Sequence, residues 1–517
     1  MGAILYKQNK KKGGPSLGPA TWLARHAKER PAQIALVATD GTIFSYERLN
    51  RVVADRARAL LKLGLHSGDL ILIVTRDTLE QRLLRLAAHC VGAIEGVIDP
   101  RLSEFEICDR IATTKPRLII ADRVFNEAGQ CVVDIDTLKD QVNGFTSKDM
   151  LYPVDNSGRV LFTTGSSGRS QAVLHKERHL ESAAISNAKT RGLRKTDIYL
   201  ALLPAFHAAG SLFEDSILFL GGGIVLPPRG SSEWVRTAFD FYPATITSVL
   251  PSMLRPLLKN NNSIHSLNKL RLINYAGEII AQNLLVELCA AYKGELTRGY
   301  GLTEAGPLVS VLPNTCHRSS LPEPSDLGLP AYGVQIRVAA DNPNEGGELL
   351  VRSGHLMVGY LNDEEATKQK IVDGWLYTGD QVRLEGQHIH LLGRLSGRIR
   401  SGGEWLHPTE IEATIASVPG VEDVVVVARA DSVWGERPVA FIQVAEDFSS
   451  DRLHSQMRRR LARFKWPDWI EILDGLPRLG PGKVNRLLLR QRTESGPPAN
   501  AIRLRSVAEQ NKPSQPK

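Results

Sequence analysis

The chain has 517 residues, 42% hydrophobic and 23% charged, the balance of a globular protein with room for two or more cores. It contains no uninterrupted apolar run of about 18 residues, which argues against a membrane-spanning helix and against integral membrane association. Its net charge of +8 is spread along the chain, and its five cysteines (Cys90, Cys108, Cys131, Cys289, Cys316) form no C-x-x-C pair, so no nucleic-acid partner, disulfide framework or zinc site is expected and a reducing cytoplasm fits.

Residues 1–19 are basic, with no apolar segment of signal-peptide length, and read as a disordered leader. Residues 20 to about 150 alternate helical patterns with short apolar runs: Leu49, Val52, Val53, Ala57, Leu60 and Leu61 recur at helical spacing, and 70–74 reads as a buried strand. A second strand–helix series includes strands at 159–162, 245–249 and 270–275. From about Gly347 the texture is β-rich, with a strand at 348–351 and a hairpin turn near Gly386. In the unit that follows, Thr409 and Glu412 have capping-box spacing before a helix carrying Ile411, Ile415 and Val418, and 424–427 reads as a strand. The predicted fold class is α/β: a large N-terminal domain (20–394) of layered α/β subdomains with a β-rich portion, then a small α+β C-terminal domain (395–492). Residues 493–517, aperiodic and rich in Ser, Pro, Gln and Lys, read as a disordered tail.

After the apolar run Val160-Leu161-Phe162 stands Thr163-Thr164-Gly165-Ser166-Ser167-Gly168. Small residues let backbone N–H groups approach a phosphate closely, and hydroxyls add donors; the spacing is not that of a Walker loop. Further on, in order, come Gly299-Tyr300-Gly301-Leu302-Thr303-Glu304, Tyr377-Thr378-Gly379-Asp380, Gly393-Arg394 and Pro481-Gly482-Lys483-Val484-Asn485-Arg486. Together these motifs, over roughly residues 20 to 492, resemble the superfamily of acyl-CoA synthetases, amino-acid-adenylating domains and luciferases.

The resemblance implies activation of a small-molecule carboxylic acid with ATP and Mg²⁺ as an acyl-adenylate, then transfer to coenzyme A. It assigns Thr163 to Gly168 to the β- and γ-phosphates, Thr303 to the phosphate, Glu304 to Mg²⁺, Tyr300 and Gly301 with Gly277-Glu278 to the adenine, and Asp380 with Arg394 to the ribose and α-phosphate. Magnesium needs few protein ligands because it keeps waters and phosphate oxygens. Lys483 would stabilise charge building on the phosphoryl oxygens during attack. His207 matches a position beside the acyl pocket, where Ala208, Ala209 and Gly210 leave room for an aryl or medium-length chain. The smaller domain of relatives is mobile, and Gly402-Gly403-Glu404-Trp405 resembles the loop that enters the site for thiol transfer, in the manner of free-standing fatty-acyl or aryl-CoA ligases.

Three positions depart from the family pattern. Gln171 replaces the phosphate-loop lysine, leaving Arg169, His175 or Lys176 to supply its charge; Ser396-Gly397 replaces the hinge acids; and Glu177 stands where a histidine is usual. The leading reading is an acid–CoA ligase. Loading of a separate carrier protein, and a catalytically impaired nucleotide- or acyl-binding homologue, are the alternatives.

Overall fold

A computed structural model describes residues 18–123, 125, 132–140, 156–164, 170–227, 243–278, 280–319, 321–340, 346–401, 404–431, 434–478 and 484–503. Among these, four sheets form the frame. In the nine-stranded sheet, Glu295–Tyr300, Leu272–Ala276, Ile246–Val249, Ile198–Leu200, Gly223–Val225 and Ile34–Val37 run parallel in that spatial order. In the seven-stranded sheet, Gly158–Thr164, Ile94–Val97, Leu70–Val74, Leu118–Ala121 and Val132–Asp134 are parallel, and Ser170–Lys176 folds back antiparallel on Gly158–Thr164. Every residue of Leu70–Val74 is buried, the continuous apolar run of a strand covered on both faces.

The helix Tyr46–Lys62 follows the predicted spacing and starts where the Ser45 side chain accepts from the Arg48 N–H. A third, antiparallel sheet contains Gly347–Arg352 and the hairpin Trp375–Glu385 with His388–Arg394, which turns through Gly386 at φ +60°. The chain then passes through the short 3₁₀ turn Leu395–Gly397 into the fourth sheet, where Val421–Asp431 pairs with Gly435–Val444. No helix among the described residues is long and apolar enough to cross a membrane.

Two expectations in the smaller unit fail. The helix Pro408–Ala416 has no capping box: Pro408 occupies its first turn and His407 is the N-cap, which places Thr409 inside the helix. Thr409 instead donates its hydroxyl to the Leu392 carbonyl at 2.6 Å, and Glu412 accepts from the Val426 N–H at 2.8 Å and from Arg486 at 2.7 Å. The disordered tail predicted from residue 493 does not begin there. Thr493–Ser495 forms a 3₁₀ turn and Ile502–Arg503 pairs antiparallel with Trp469 and Ile470. A two-residue strand is too short to register as periodicity. At the other end, helix Pro19–Glu29 already begins with Pro19, inside the predicted leader, and Gly18 is its N-cap.

The two large sheets are tied together by a buried charge cluster. Helix Thr78–Val91 contributes Arg82, Arg85 and His89; Glu95 comes from the next strand, Arg159 from Gly158–Thr164, Glu177 from helix Glu177–Arg191, and Glu214 and Asp215 from helix Ala208–Leu220. None is more than 6% exposed. Arg82 meets Glu214 at 2.5 Å, Arg85 meets Glu214 at 3.2 Å, and Arg159 meets Asp215 at 2.5 Å and also Glu95. His89 Nδ1 lies 3.3 Å from Glu177, and its Nε2 3.8 Å from Glu95. The three arginines face four carboxylates, so the set is neutral only when His89 carries a proton. Burial by itself lowers the His89 pKa, but the hydrogen bonds and charges of Glu177 and Glu95 outweigh it and raise the value.

A raised folded-state pKa stabilises the fold fully below the unfolded value of about 6.5 and loses that contribution as pH rises through the folded value. Thermal melts taken upward from pH 6 should therefore show a falling midpoint. His89→Gln should destabilise the protein at pH 6 by about 1–3 kcal/mol, the cost of leaving a buried polar group unpaired, and flatten the pH dependence. An unchanged slope in the variant would remove the proton from His89.

Candidate active site

The site residues gather at the ends of parallel strands, where open α/β sheets place their ligands. Gly277-Glu278 follows Leu272–Ala276, Tyr300 ends Glu295–Tyr300, and Thr163 and Thr164 end Gly158–Thr164. Thr163 pairs with Gln171 and Thr164 with Ser170, and the Ser170 hydroxyl donates to the Thr163 carbonyl at 3.0 Å. Gly165, Ser166, Ser167 and Gly168 lie outside the described residues, as does the Thr164 side chain.

The hairpin that presents this loop is bonded to the next motif. His175 Nε2–H donates to the Thr303 carbonyl at 2.9 Å. Burial pushes the His175 pKa down to about 3, so the ring is neutral and cannot provide the charge that Gln171 lacks. His175 positions the turn Thr303–Ala305 instead. Lys176 is directed to the Asn156 carbonyl at 3.3 Å, and Arg169 lies outside the described residues. Glu177 accepts from the His89 ring, so the position where relatives keep a histidine belongs to the charge cluster.

Glu304 accepts from the Tyr360 hydroxyl at 3.0 Å, and its carbonyl accepts from the Met357 N–H at 2.8 Å. Tyr360 is paired through its backbone with Val173, so both sides of the Thr303-Glu304 turn are braced by the strand after the phosphate loop. Desolvation, followed by the Glu304 charge, raises the Tyr360 pKa and keeps its hydroxyl a donor. Among the described residues no group of three or more His, Cys, Asp or Glu side chains could hold a metal. A single carboxylate at Glu304 suits Mg²⁺ shared with ATP oxygens and water.

Asp380 and Arg394 are cross-strand partners, and Arg394 Nε stands 2.9 Å from Asp380 Oδ1. The Tyr300 hydroxyl donates to Asp380 Oδ2 at 2.6 Å, and burial with the Asp380 charge raises the Tyr300 pKa. Each carboxylate oxygen has two lone-pair sites, so both can still accept a ribose hydroxyl. Gly301 has no space for a side chain: a Cβ there would stand 2.1 Å from the Pro307 carbonyl oxygen. Glu278 accepts from the Ser252 N–H at 3.0 Å and the Ser252 hydroxyl at 3.1 Å, at the start of helix Pro251–Leu258.

His207 is the exposed N-cap of helix Ala208–Leu220, with its ring tilted against Phe206. The room predicted at Gly210 is taken up by backbone: a Cβ there would stand 2.3 Å from the Pro204 carbonyl oxygen. Lys483, Gly402 and Gly403 lie outside the described residues, as do the side chains of Glu404 and Trp405, whose backbones pair with Ser401 and Arg400.

Arg191 has no counterpart in the sequence reading. It ends helix Glu177–Arg191, is buried, and donates to Asn274 Oδ1 at 3.1 Å and to Asn187 Oδ1 at 2.5 Å. No carboxylate among the described residues pairs with it, and burial pulls its pKa down to about 9. Its guanidinium lies behind the motif strand, since a Cβ on Gly299 would stand 2.5 Å from Nη2. Helical periodicity hides such a residue because an arginine in a last helical turn is ordinary.

Residues 23–361 match the model of the AMP-binding enzyme family, and residues 410–483 that of the AMP-binding enzyme C-terminal domain. The chain belongs to the AMP-binding enzyme family. It is 28% identical over 475 residues to the 2-succinylbenzoate–CoA ligase of Listeria innocua, covering 91% of this chain and 99% of that one. The ligase of the same name from Bacillus cytotoxicus is 28% identical over 482 residues, covering 92% and 98%. Among solved structures, o-succinylbenzoate CoA synthetase from Bacillus subtilis, in complex with the acyl-adenylate intermediate, aligns with a TM-score of 0.80 at 25% identity, covering 92% and 98%. ATP-bound MatB from Rhodopseudomonas palustris shares the fold with a TM-score of 0.83 at 22% identity, covering 92% and 99%. The chain is an AMP-forming acid–CoA ligase that acts through an acyl-adenylate.

Asp380→Asn should raise the KM for ATP in pyrophosphate exchange by one to two orders of magnitude, the about 1.5–3 kcal/mol of a hydrogen bond to a charged group. An unchanged KM for ATP would remove Asp380 from the ribose.

Proposed function

We propose that this ligase takes an aromatic acid carrying a second carboxylate, of the kind 2-succinylbenzoate represents. An oxygen of the reacting carboxylate forms a bond to the α-phosphorus of ATP, the α–β anhydride bond breaks, and pyrophosphate leaves. The thiol of coenzyme A then attacks the acyl carbon, AMP leaves, and the thiol proton passes to solvent. The reaction is assigned to the cytoplasm, where ATP and coenzyme A are at hand.

The observation that carries this reading is the bonded set His175–Thr303, Tyr360–Glu304 and Tyr300–Asp380–Arg394, which brings three separated motifs to one place. In it Asp380 holds the ribose hydroxyls, Tyr300, Gly277 and Glu278 line the adenine, and the loop Thr163 to Gly168 with Thr303 cradles the phosphates. Glu304 would hold Mg²⁺, which neutralises charge on the phosphate oxygens when bound. Lys483 supplies the cation at the α-phosphate, and Gly402 to Trp405 serve thiol transfer. We divide the chain between Arg394, the end of the third sheet, and Ile399, the start of the fourth.

The second carboxylate is assigned to Arg191, whose guanidinium meets two amide oxygens and stands 5.3 Å from the centroid of the Phe213 ring, with no carboxylate partner among the described residues. A buried cation without a counter-ion is costly, and an anionic substrate group relieves that cost. The named substrate of the Listeria and Bacillus relatives has such a group.

A panel of carboxylic acids assayed for ATP-dependent pyrophosphate release, with and without coenzyme A, tests the reading. Aromatic dicarboxylates should lead. Arg191→Leu should raise their KM about tenfold or more, as loss of a charge-assisted hydrogen bond does, and leave monocarboxylates little changed; equal loss for both would refute the assignment. Release that never yields acyl-CoA would transfer the acceptor role to a carrier protein, and no release with any acid would favour an impaired homologue. Lys483→Ala should abolish pyrophosphate release and spare the conversion of supplied acyl-AMP to acyl-CoA; parallel loss of both would refute the role given to Lys483.

A further inference from the structure

Glu278 has a second partner, and it belongs to the smaller unit. Arg478 Nη1 stands 3.6 Å from Glu278 Oε1, while its Nη2 meets Asp423 at 2.5 Å. The three side chains are at most about one-third exposed, and Glu278 is anchored on its far side by the Ser252 N–H and hydroxyl. Around this triad the units touch at further points. Arg255 donates to the Glu422 carbonyl at 2.5 Å, Lys259 lies 3.6 Å from the Glu422 carboxylate, and Asn283 donates to the Val421 carbonyl at 3.4 Å. All of these bring helices Pro251–Leu258 and Gln282–Ala291 against the start of strand Val421–Asp431.

Arg478 is also placed to register the motif that ends in Arg486. It forms an antiparallel bridge with Val484, and the Asn485 N–H donates to the Pro477 carbonyl at 2.7 Å. Asn485 then caps helix Arg486–Arg492 by accepting from the Leu488 N–H at 3.1 Å. Val484 is joined directly to Lys483 in the chain, so the contact of Arg478 with Glu278 ties the bridge partner of Val484 to the residue following Gly277. The other contacts are made largely by backbone carbonyls or exposed lysine. Among the described residues, the Glu278–Arg478 pair links the residue assigned to the adenine side to the lysine-bearing motif.

We infer that Glu278 and Arg478 form a docking ion pair that selects the arrangement of the two units in which the acid is adenylated, with Asp423 orienting the arginine. This rests on the ligase reading above. Arg478 is assigned as a positioning residue that acts through where it holds its own motif. Both carboxylates are desolvated, which raises their pKa values and leaves them dependent on the shared guanidinium for their charged form.

The two half-reactions of the full-length protein separate this role from a merely structural one. Arg478→Ala should lower ATP–pyrophosphate exchange about tenfold or more and leave the conversion of chemically supplied acyl-AMP and coenzyme A to acyl-CoA within about twofold. Arg478→Lys should recover part of the exchange. Glu278→Gln should lower exchange in the unaltered background and add little in the Arg478→Ala background. Small-angle scattering compares the unaltered protein with Arg478→Ala independently of any reaction, and the variant should populate a more open arrangement. Loss of both half-reactions together, additive effects of the two substitutions, or superimposable scattering curves would overturn the proposal. If the unaltered protein neither exchanges pyrophosphate nor consumes acyl-AMP, the ligase reading fails by itself, and the scattering comparison still decides the docking pair.

Discussion

The buried cluster of Arg82, Arg85, His89, Glu95, Arg159, Glu177, Glu214 and Asp215 is the constraint around which the larger domain is organised. Removing one ion from water costs several kcal/mol even after relaxation, so none of these charges is tolerable without its partners. The elements that carry them cannot slide independently. One of those elements is the strand that delivers Thr163 and Thr164, another the helix that begins after His207, and a third the helix that ends in Arg191. The end of that strand and the ends of both helices are therefore held in register from behind. Glu177, in a position where relatives have histidine, makes sense here: His89 supplies the ring from the facing helix and the carboxylate completes the charge balance.

In front of that cluster the site is assembled by hydrogen bonds between motifs rather than within them. The neutral His175 ring fixes the Thr303 carbonyl, Tyr360 fixes Glu304, and Tyr300 with Arg394 fixes Asp380. Burial disfavours the phenolate and keeps Tyr300 and Tyr360 donors, and it holds the His175 ring neutral. Gln171 leaves the phosphate hairpin without its usual cation, and neither His175 nor Lys176 is directed to replace it. Arg191 is a buried cation behind strand Glu295–Tyr300, and the Glu278–Arg478 pair lies at the junction of the units.

Strongly periodic elements were readable from the chain alone. Tyr46–Lys62, Leu70–Val74 and the hairpin at Gly386 follow from spacing, burial and turn chemistry that act over a few residues. The capping box at Thr409 and Glu412 failed because Pro408 moved the helix start and two distant groups, the Leu392 carbonyl and Arg486, claimed the side chains. Gly210 offers no space, because its missing Cβ serves a close backbone approach to Pro204. The strand Ile502–Arg503 leaves no local signal, because its order comes from pairing with Trp469 and Ile470.

By itself the sequence determined the family, the order of the nucleotide motifs and the type of the strongly periodic elements, since these depend on local residue choice and on spacings along one chain. Tertiary structure alone decided which charges are neutralised, that His175 is a buried neutral donor, that Arg191 is a buried cation held by two amide oxygens and the Phe213 ring, and that Glu278 meets Arg478 across 200 positions of chain. The physical reason is that a side chain's charge and role follow from its dielectric surroundings and its partners, and both are set by residues far away in sequence.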